Sequence, residues 1–308
     1  MNILRLWALL RRLMLALTLA LPLAATAAPQ QTFATPEAAV DALMAALKAD
    51  SDAAMLSIFG DDYKHLIIQD DRAAASATRA KVFASMQTLR VLRESGPDRR
   101  LLLIGDEAWP LPIPIVRNGD RWRFASELGA DEILNRRIGA NERNAIYVLR
   151  AFVDAQRTFA AVDRDGDGVR QYARKLASTP GKRDGLYWTA DPAKGEEMSP
   201  FGPLIAESAA YLEGHAVGDP YRGYRFRILT RQGAYAAGGA YDYLINGRLI
   251  GGFAMVAYPA EWGETGVMSF IVNHNGKIFE KNLGKDSSVV GAKMTAFDPG
   301  PGWKVVGP

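Results

Sequence analysis

The chain predicts an α+β fold in two modules, and three observations carry that prediction. Helix-start signals and apolar stripes crowd the first hundred residues, ending in a short hairpin. One uninterrupted amphipathic run follows, from Asn141 to Val162. Beyond it the hydrophobic period switches from three-to-four to two, with Asn-Gly pairs between the alternating segments. Helices first and strands afterwards, without regular alternation, place the helices on one side of antiparallel sheets. The predicted division is a helix-plus-small-sheet module over 28–138, then a long helix packed on an antiparallel sheet over 139–308.

Residues 1–27 read as a signal peptide. Arg5, Arg11 and Arg12 form its positive region, Leu13 to Ala24 its apolar core, and Ala25-Thr26-Ala27 its cleavage site. The expected location is periplasmic or secreted, by the general secretory route. The chain carries 37 basic and 34 acidic residues. Three of the basic ones lie in the leader, so the rest is neutral and gives no electrostatic footprint for nucleic acid or an anionic membrane. There is no Cys, hence no disulfide, no thiol nucleophile and no lipid-anchored cysteine.

Taken in order, Thr35-Pro36-Glu37 is a helix start, with a capping Thr, Pro at the first helical position and then an acid. Ala39, Val40, Leu43, Met44 and Leu47 give the stripe. Asp50-Ser51-Asp52 breaks this helix and starts a short one through Ile58, stopped by Gly60. A further helix is predicted over 71–93, with Val82, Phe83, Met86, Leu89 and Leu92 inward. Strands follow at Leu101–Ile104, Ile113–Val116 and Arg121–Phe124, the last two joined over Asn118-Gly119. Residues 131–138 read as a short helix and Gly139 as the joint before the long one.

The long helix carries Ala145, Ile146, Leu149, Phe152, Val153, Ala155, Phe159 and Val162 on one face. It ends in Asp163-Arg164-Asp165-Gly166-Asp167-Gly168, three carboxylates at the negative end of the helix dipole. The D-x-D-x-D-G spacing resembles the first half of an EF-hand-type calcium loop. On that template Asp163, Asp165 and Asp167 supply oxygens, Val169 its carbonyl, and Gln171 a weaker contact. The twelfth position, a bidentate Glu in the template, is Arg174, so another acid has to arrive, from Asp184, Glu196 or Glu197. The alternative is a solvated turn neutralised by Arg157, Arg164, Arg170 and Arg174.

Residues 169–176 are predicted helical, 178–203 mostly irregular, and Leu204 to Leu212 helical. Alternation then marks strands at Tyr224–Leu229, Tyr241–Ile245, Leu249–Tyr258, Met268–Val272 and Ile278–Lys281, with turns at Asn246-Gly247 and Asn275-Gly276. Tyr224, Tyr241 and Tyr243 are expected to point inward.

The stretch FATPEAAVDALMAALKADSDAAMLSIFG with the later DRWRF resembles nuclear-transport-factor-2-like (cystatin-like) domains, which implies a helix packed on a curved sheet. NERNAIYVLRAFVDAQRTFA, GYRFRILT and TGVMSFIVNHNGKIFE are similar to the globular half of type II secretion pseudopilins (type IV pilin-like), some of which bind calcium. The apolar stem through which those proteins polymerise is missing. The segments WPLPIPIVRNGDRWRF, EILNRRIG, DRDGDGVRQYA, STPGKRDGLYW and GGAYDYLINGRLIGGFAMVAYPAEWG are similar to the DUF2950 family of secreted bacterial proteins of unknown function. That resemblance implies compartment and architecture but no activity.

No G-x-S-x-G, H-E-x-x-H or Walker loop occurs. His65, His215 and His274 share no metal-ligand spacing. No catalytic set stands out; Asp61, Asp62, His65 and Glu261 are the acids and base that a hydrolase would use. Arg183, Asp184, Tyr187, Trp188 and Trp262 combine charge with aromatic rings, as partner surfaces do. The reading is an exported cell-envelope binding or interaction protein, its partner an envelope protein, peptide or glycan, with calcium as a structural ion. A periplasmic hydrolase of cell-wall sugar or peptide is the second reading, and a pilus-like assembly subunit the third. Neither nucleic acid nor, once the leader is cleaved, membrane is an expected partner.

Overall fold

A computed structural model describes residues 29–68, 71–202 and 219–307. The signal-peptide reading, the helix over 204–212 and His215 lie outside these residues. The fold is mixed α+β, and the chain divides into two compact units, Met1–Ile133 and Leu134–Pro308.

Unit 1 begins with α1 (Pro36–Lys48) and α2 (Asp52–Phe59). Thr35 caps α1 by accepting the Ala38 N–H at 3.1 Å, and Ser51 caps α2 through the Ala54 N–H at 3.2 Å. The chain then turns at Gly60, where φ is +91°, a backbone setting that suits glycine. A short α3 (Lys64–Ile67) precedes α4 (Arg72–Thr88), which Asp71 caps through the Ala73 and Ala74 N–H groups. The helix expected to reach residue 93 stops at Thr88. Leu89 is already extended, and β1 (Arg90–Glu94) pairs antiparallel with β2 (Arg99–Ile104). The apolar spacing of Leu89 and Leu92 fits either element. Pairing with β2 over five residues adds ladder hydrogen bonds at alternate positions and extends the sheet.

The sheet is completed by β3 (Trp109–Pro110), β4 (Ile115–Asn118) and β5 (Arg121–Phe124), in the order β1-β2-β4-β5 with β3 on β2. Asn118 faces Arg121 in the ladder, so the two turn residues are Gly119 and Asp120, one step later than the sequence suggests. Val40, Leu43, Leu47, Met55, Phe59, Met86, Leu102, Ile115 and Phe124 form the core.

The helix expected over 141–162 is longer at its start and shorter at its end: α5 runs without a break from Ser126 to Ala160. Gly139 is no joint, and the segment 131–138 belongs to the same helix. Val162, assigned to the stripe, lies past its end and is exposed.

In unit 2, five strands order as β14-β13-β12-β11-β6. These are β6 (Tyr224–Leu229), β11 (Ala254–Pro259), β12 (Ser269–Asn273), β13 (Phe279–Lys281) and β14 (Lys304–Val305). Every residue of β11 and β12 is buried. Ala145, Leu149, Phe152, Val153, Ala155 and Phe159 of α5 join these strands in one core. The long helix on an antiparallel sheet is therefore as predicted. The Phe152 ring meets Phe253 edge-on at 5.5 Å.

Two small ladders, β7 (Arg231–Gln232) with β8 (Tyr241–Asp242) and β9 (Leu244–Ile245) with β10 (Arg248–Leu249), replace the long 241–258 hairpin. The Asn246-Gly247 turn itself forms, with φ of +51° and +77°, the two-residue geometry that matches strand twist. The short α6 (Ser287–Lys293) lies on β11, where Gly291 leaves no room for a Cβ beside the Tyr258 ring.

Candidate functional site

Unit 1 holds a cavity of about 260 Å³. Its walls come from α1 and α2 (Leu43, Leu47, Met55, Phe59), α3 (Leu66, Ile67), α4 (Ala75, Thr78, Arg79, Val82) and the sheet side (Trp109, Leu111, Ile113, Phe124). The space exists because of what α4 points inward. Its first half turns only Ala75, Thr78 and Arg79 toward the space, while Val82, Phe83 and Met86 further along pack against the core. Trp109 belongs to the same lining and is 46% exposed.

The first half of α4, with so thin an apolar face, needs another hold. Arg79 is 4% exposed. It donates to Asp50 Oδ1 at 2.9 Å and to Asp52, which flank the α1–α2 turn. Arg72, one end of α4 away, donates to Asp52 at 2.8 Å and to both the carboxylate and the carbonyl of Asp50 at 2.9 Å. The Arg79 guanidinium holds both carboxyls below the usual carboxylate range. Two arginines and two aspartates thus latch α4 down and cancel one another's charge.

The hydrolase candidates stand apart from this space. Asp61, Asp62 and His65 are exposed on the segment leading through α3, and none of them lines the cavity. Glu261 is an exposed turn residue of unit 2.

The acidic loop after α5 closes on protein donors. Asp163 accepts the Gly166 N–H at 2.9 Å and the Gly168 N–H at 2.7 Å. The Gly168 bond is the largest cause of its lowered pKa. Asp167 accepts the Val169 N–H at 3.0 Å and pairs with Arg248, while Gln171 donates to Asp165. The arginines nearest in sequence do not supply this charge. Arg164 stacks on Phe159 and Trp188 and pairs with Glu197 at 2.9 Å, and Arg174 donates to the Gly247 carbonyl. The acids expected to complete a calcium shell are engaged elsewhere: Asp184 with Lys175 and Thr179, Glu197 with Arg164 and Arg183, Glu196 with the Asp191 N–H. Lys175 holds the Asp184 carboxyl far below the usual range. Among the described residues no three acids or histidines converge as a metal site.

Residues 169–176 are irregular rather than helical. Gln156, fully buried on α5, donates to the Ala173 carbonyl and accepts its N–H, both at 2.8 Å, and so docks the segment on the helix.

Of the group proposed as a surface, Arg183 lies over the Trp188 ring at 5.7 Å, and Trp262 makes its hydrogen bond elsewhere. Trp188 is 9% exposed and donates to the Glu197 carbonyl, Tyr187 is half-buried, Arg183 pairs with Glu197, and Trp262 donates to Asn282. Tyr224 and Tyr243 are buried as predicted, but Tyr241 is 39% exposed. Burial pushes the Tyr243 hydroxyl up to about 12.

A family model for a protein of unknown function, DUF2950, matches residues 30–306. The chain belongs to the DUF2950 family. No curated protein and no solved structure matches it. The likeness to pseudopilins therefore rests on the quoted residues alone. The family match takes in both units of this DUF2950 chain, the cavity-bearing one and the one built on the long helix.

Proposed function

We propose that this DUF2950 protein is an exported binding protein of the cell envelope, and that it takes a small ligand into the cavity of unit 1. The observation that supports this is a cavity of about 260 Å³ with a wall of apolar side chains and no acid or base free to react. Concave apolar space with few polar groups is the usual form of a ligand site. Export is supported by the basic, apolar and small-residue regions of residues 1–27. No helix among the described residues is long and apolar enough to cross a membrane.

Two measurements test this reading. Fractionation of cells making the chain, with sequencing of the mature amino terminus, is expected to find the protein outside the cytoplasm and starting near Ala28. A melting screen of the mature chain against small envelope-derived molecules is expected to yield a stabilising ligand whose effect disappears on Ala75→Phe. A ligand whose effect survives that change would move the site elsewhere.

Calcium is a second, structural element of the proposal. The backbone of the loop supports it: Asp163 at the first position takes the Gly168 N–H, and Gly168 at the sixth has φ +84°. Bound calcium would take Asp165 and Asp167 from Gln171 and Arg248. Melting with calcium and with chelator tests this.

A further inference from the structure

Resting on the proposed function, the geometry points to a chemical class of ligand: we infer that the cavity of unit 1 takes an uncharged, apolar molecule, and that the arginine in its wall is not an anion receptor. A buried Arg beside an apolar cavity invites the opposite conclusion, a carboxylate head on Arg79 with its tail inside. The hydrogen bonds argue against it. Both terminal nitrogens of Arg79 are occupied, one on Asp50 at 2.9 Å and the other on Asp52. Those carboxylates are shared with Arg72, so the cluster as a whole is neutral. An incoming anion would have to displace a carboxylate that is already paired, and would meet the second one alongside.

The other polar side chain of the wall, Thr78, donates its hydroxyl to the Ala74 carbonyl of its own helix at 2.9 Å. The remaining side chains of the wall are Leu, Ile, Val, Met, Phe, Ala, Pro and Trp. A polar group entering this space loses its water and meets hydrocarbon on most sides, which costs several times the thermal energy. The Trp109 indole N–H is the one further side-chain donor of the wall. The space is partly open to solvent beside Trp109, which is 46% exposed, and an enclosed apolar cavity of about 150 Å³ already admits benzene. One of about 260 Å³ admits a two-ring hydrocarbon or a short alkyl chain.

The probe is N-phenyl-1-naphthylamine, which is neutral and fluoresces in apolar surroundings, titrated into the mature chain at neutral pH. Saturable binding is expected. Decanol should displace the probe, and decanoate should do so at least about tenfold more weakly. Ala75→Phe, which fills the space, should abolish the signal with melting retained; Val82→Trp serves if that variant does not fold. If decanoate competes as well as decanol, the ligand class inferred here is wrong while the cavity remains a binding site. If the probe binds equally well to a folded, filled variant, or not at all to the native chain, the cavity reading itself falls.

Discussion

The two units solve the same problem, covering a sheet with helix, in different ways. In unit 2 the sheet is buried to the last residue of β11 and β12, and α5 lays Leu149, Phe152 and Phe159 against it. In unit 1, the first half of α4 offers Ala75, Thr78 and Arg79 and is held by Arg72 and Arg79 on Asp50 and Asp52, with Val82, Phe83 and Met86 packing only further along. A filled interior gains dispersion and burial with every contact. An ion-pair latch holds a helix in place without filling the space beneath it. The contrast teaches where to look for function in a chain that lacks a catalytic motif: at the space that the latched helix leaves open in unit 1.

Substitutions can break or sharpen this contrast. The largest effect belongs to Phe152→Ala, which empties a fully buried site in unit 2 and is expected to cost about 3–5 kcal/mol in urea unfolding. The mirror pair comes next. Ala257→Phe in the filled β11 should cost about 3 kcal/mol, whereas Ala75→Phe in unit 1 should stay within about 1 kcal/mol of the parent. Equal costs would mean that the interiors do not differ.

Acid offers a third comparison. The carboxyls of Asp50 and Asp52 are depressed by Arg79 below their ordinary 3.8. Their contribution is therefore complete above about pH 3.8 and lost as pH falls through the lower folded values. Asp50→Asn with Asp52→Asn should remove that acid step from the unfolding of unit 1 and lower its midpoint at neutral pH. Asp184 in unit 2 is held lower still by Lys175, so its contribution should survive to more acidic pH.

A smaller effect concerns His274, whose ring lies against Tyr243 and Phe253 and whose carbonyl accepts from Arg157. Burial depresses its pKa below 6.5. The unfolded chain then binds the proton first, so unit 2 should lose stability as pH falls from about 6.5 toward the folded value. His274→Gln should flatten that slope. Smallest is calcium: the melting point should rise in calcium over chelator, and Asp165→Ala should abolish the rise. No shift would remove the ion from the account.

How much of this was legible follows from the range of each interaction. Periodicity is local, so the stripe from Ala145 to Phe159 and the Asn246-Gly247 turn could be read directly. The ends of elements were less secure. Leu89 and Leu92 continue a helical spacing, yet the chain leaves the helix at Leu89 because β2 offers a ladder. Residues 169–176 lack that local cue as well, and Gln156 docks them in an irregular path from 17 residues away. The latch joins positions 20 to 29 residues apart, and nothing near Arg79 announces its partners. A trace was present nonetheless: an Arg on the inward line of a helix, between Ala75 and Val82, is a charge that needs burying or pairing. The cavity is a product of shape and left no mark at a single residue.

The most direct test of the central claim is diffraction from crystals of the mature chain pressurised with xenon. Xenon between α1, α4 and the sheet of unit 1, with no ordered water bonded to the apolar wall, is the result this account predicts. Ordered water bonded to the wall, or xenon lodged only in unit 2, would contradict it.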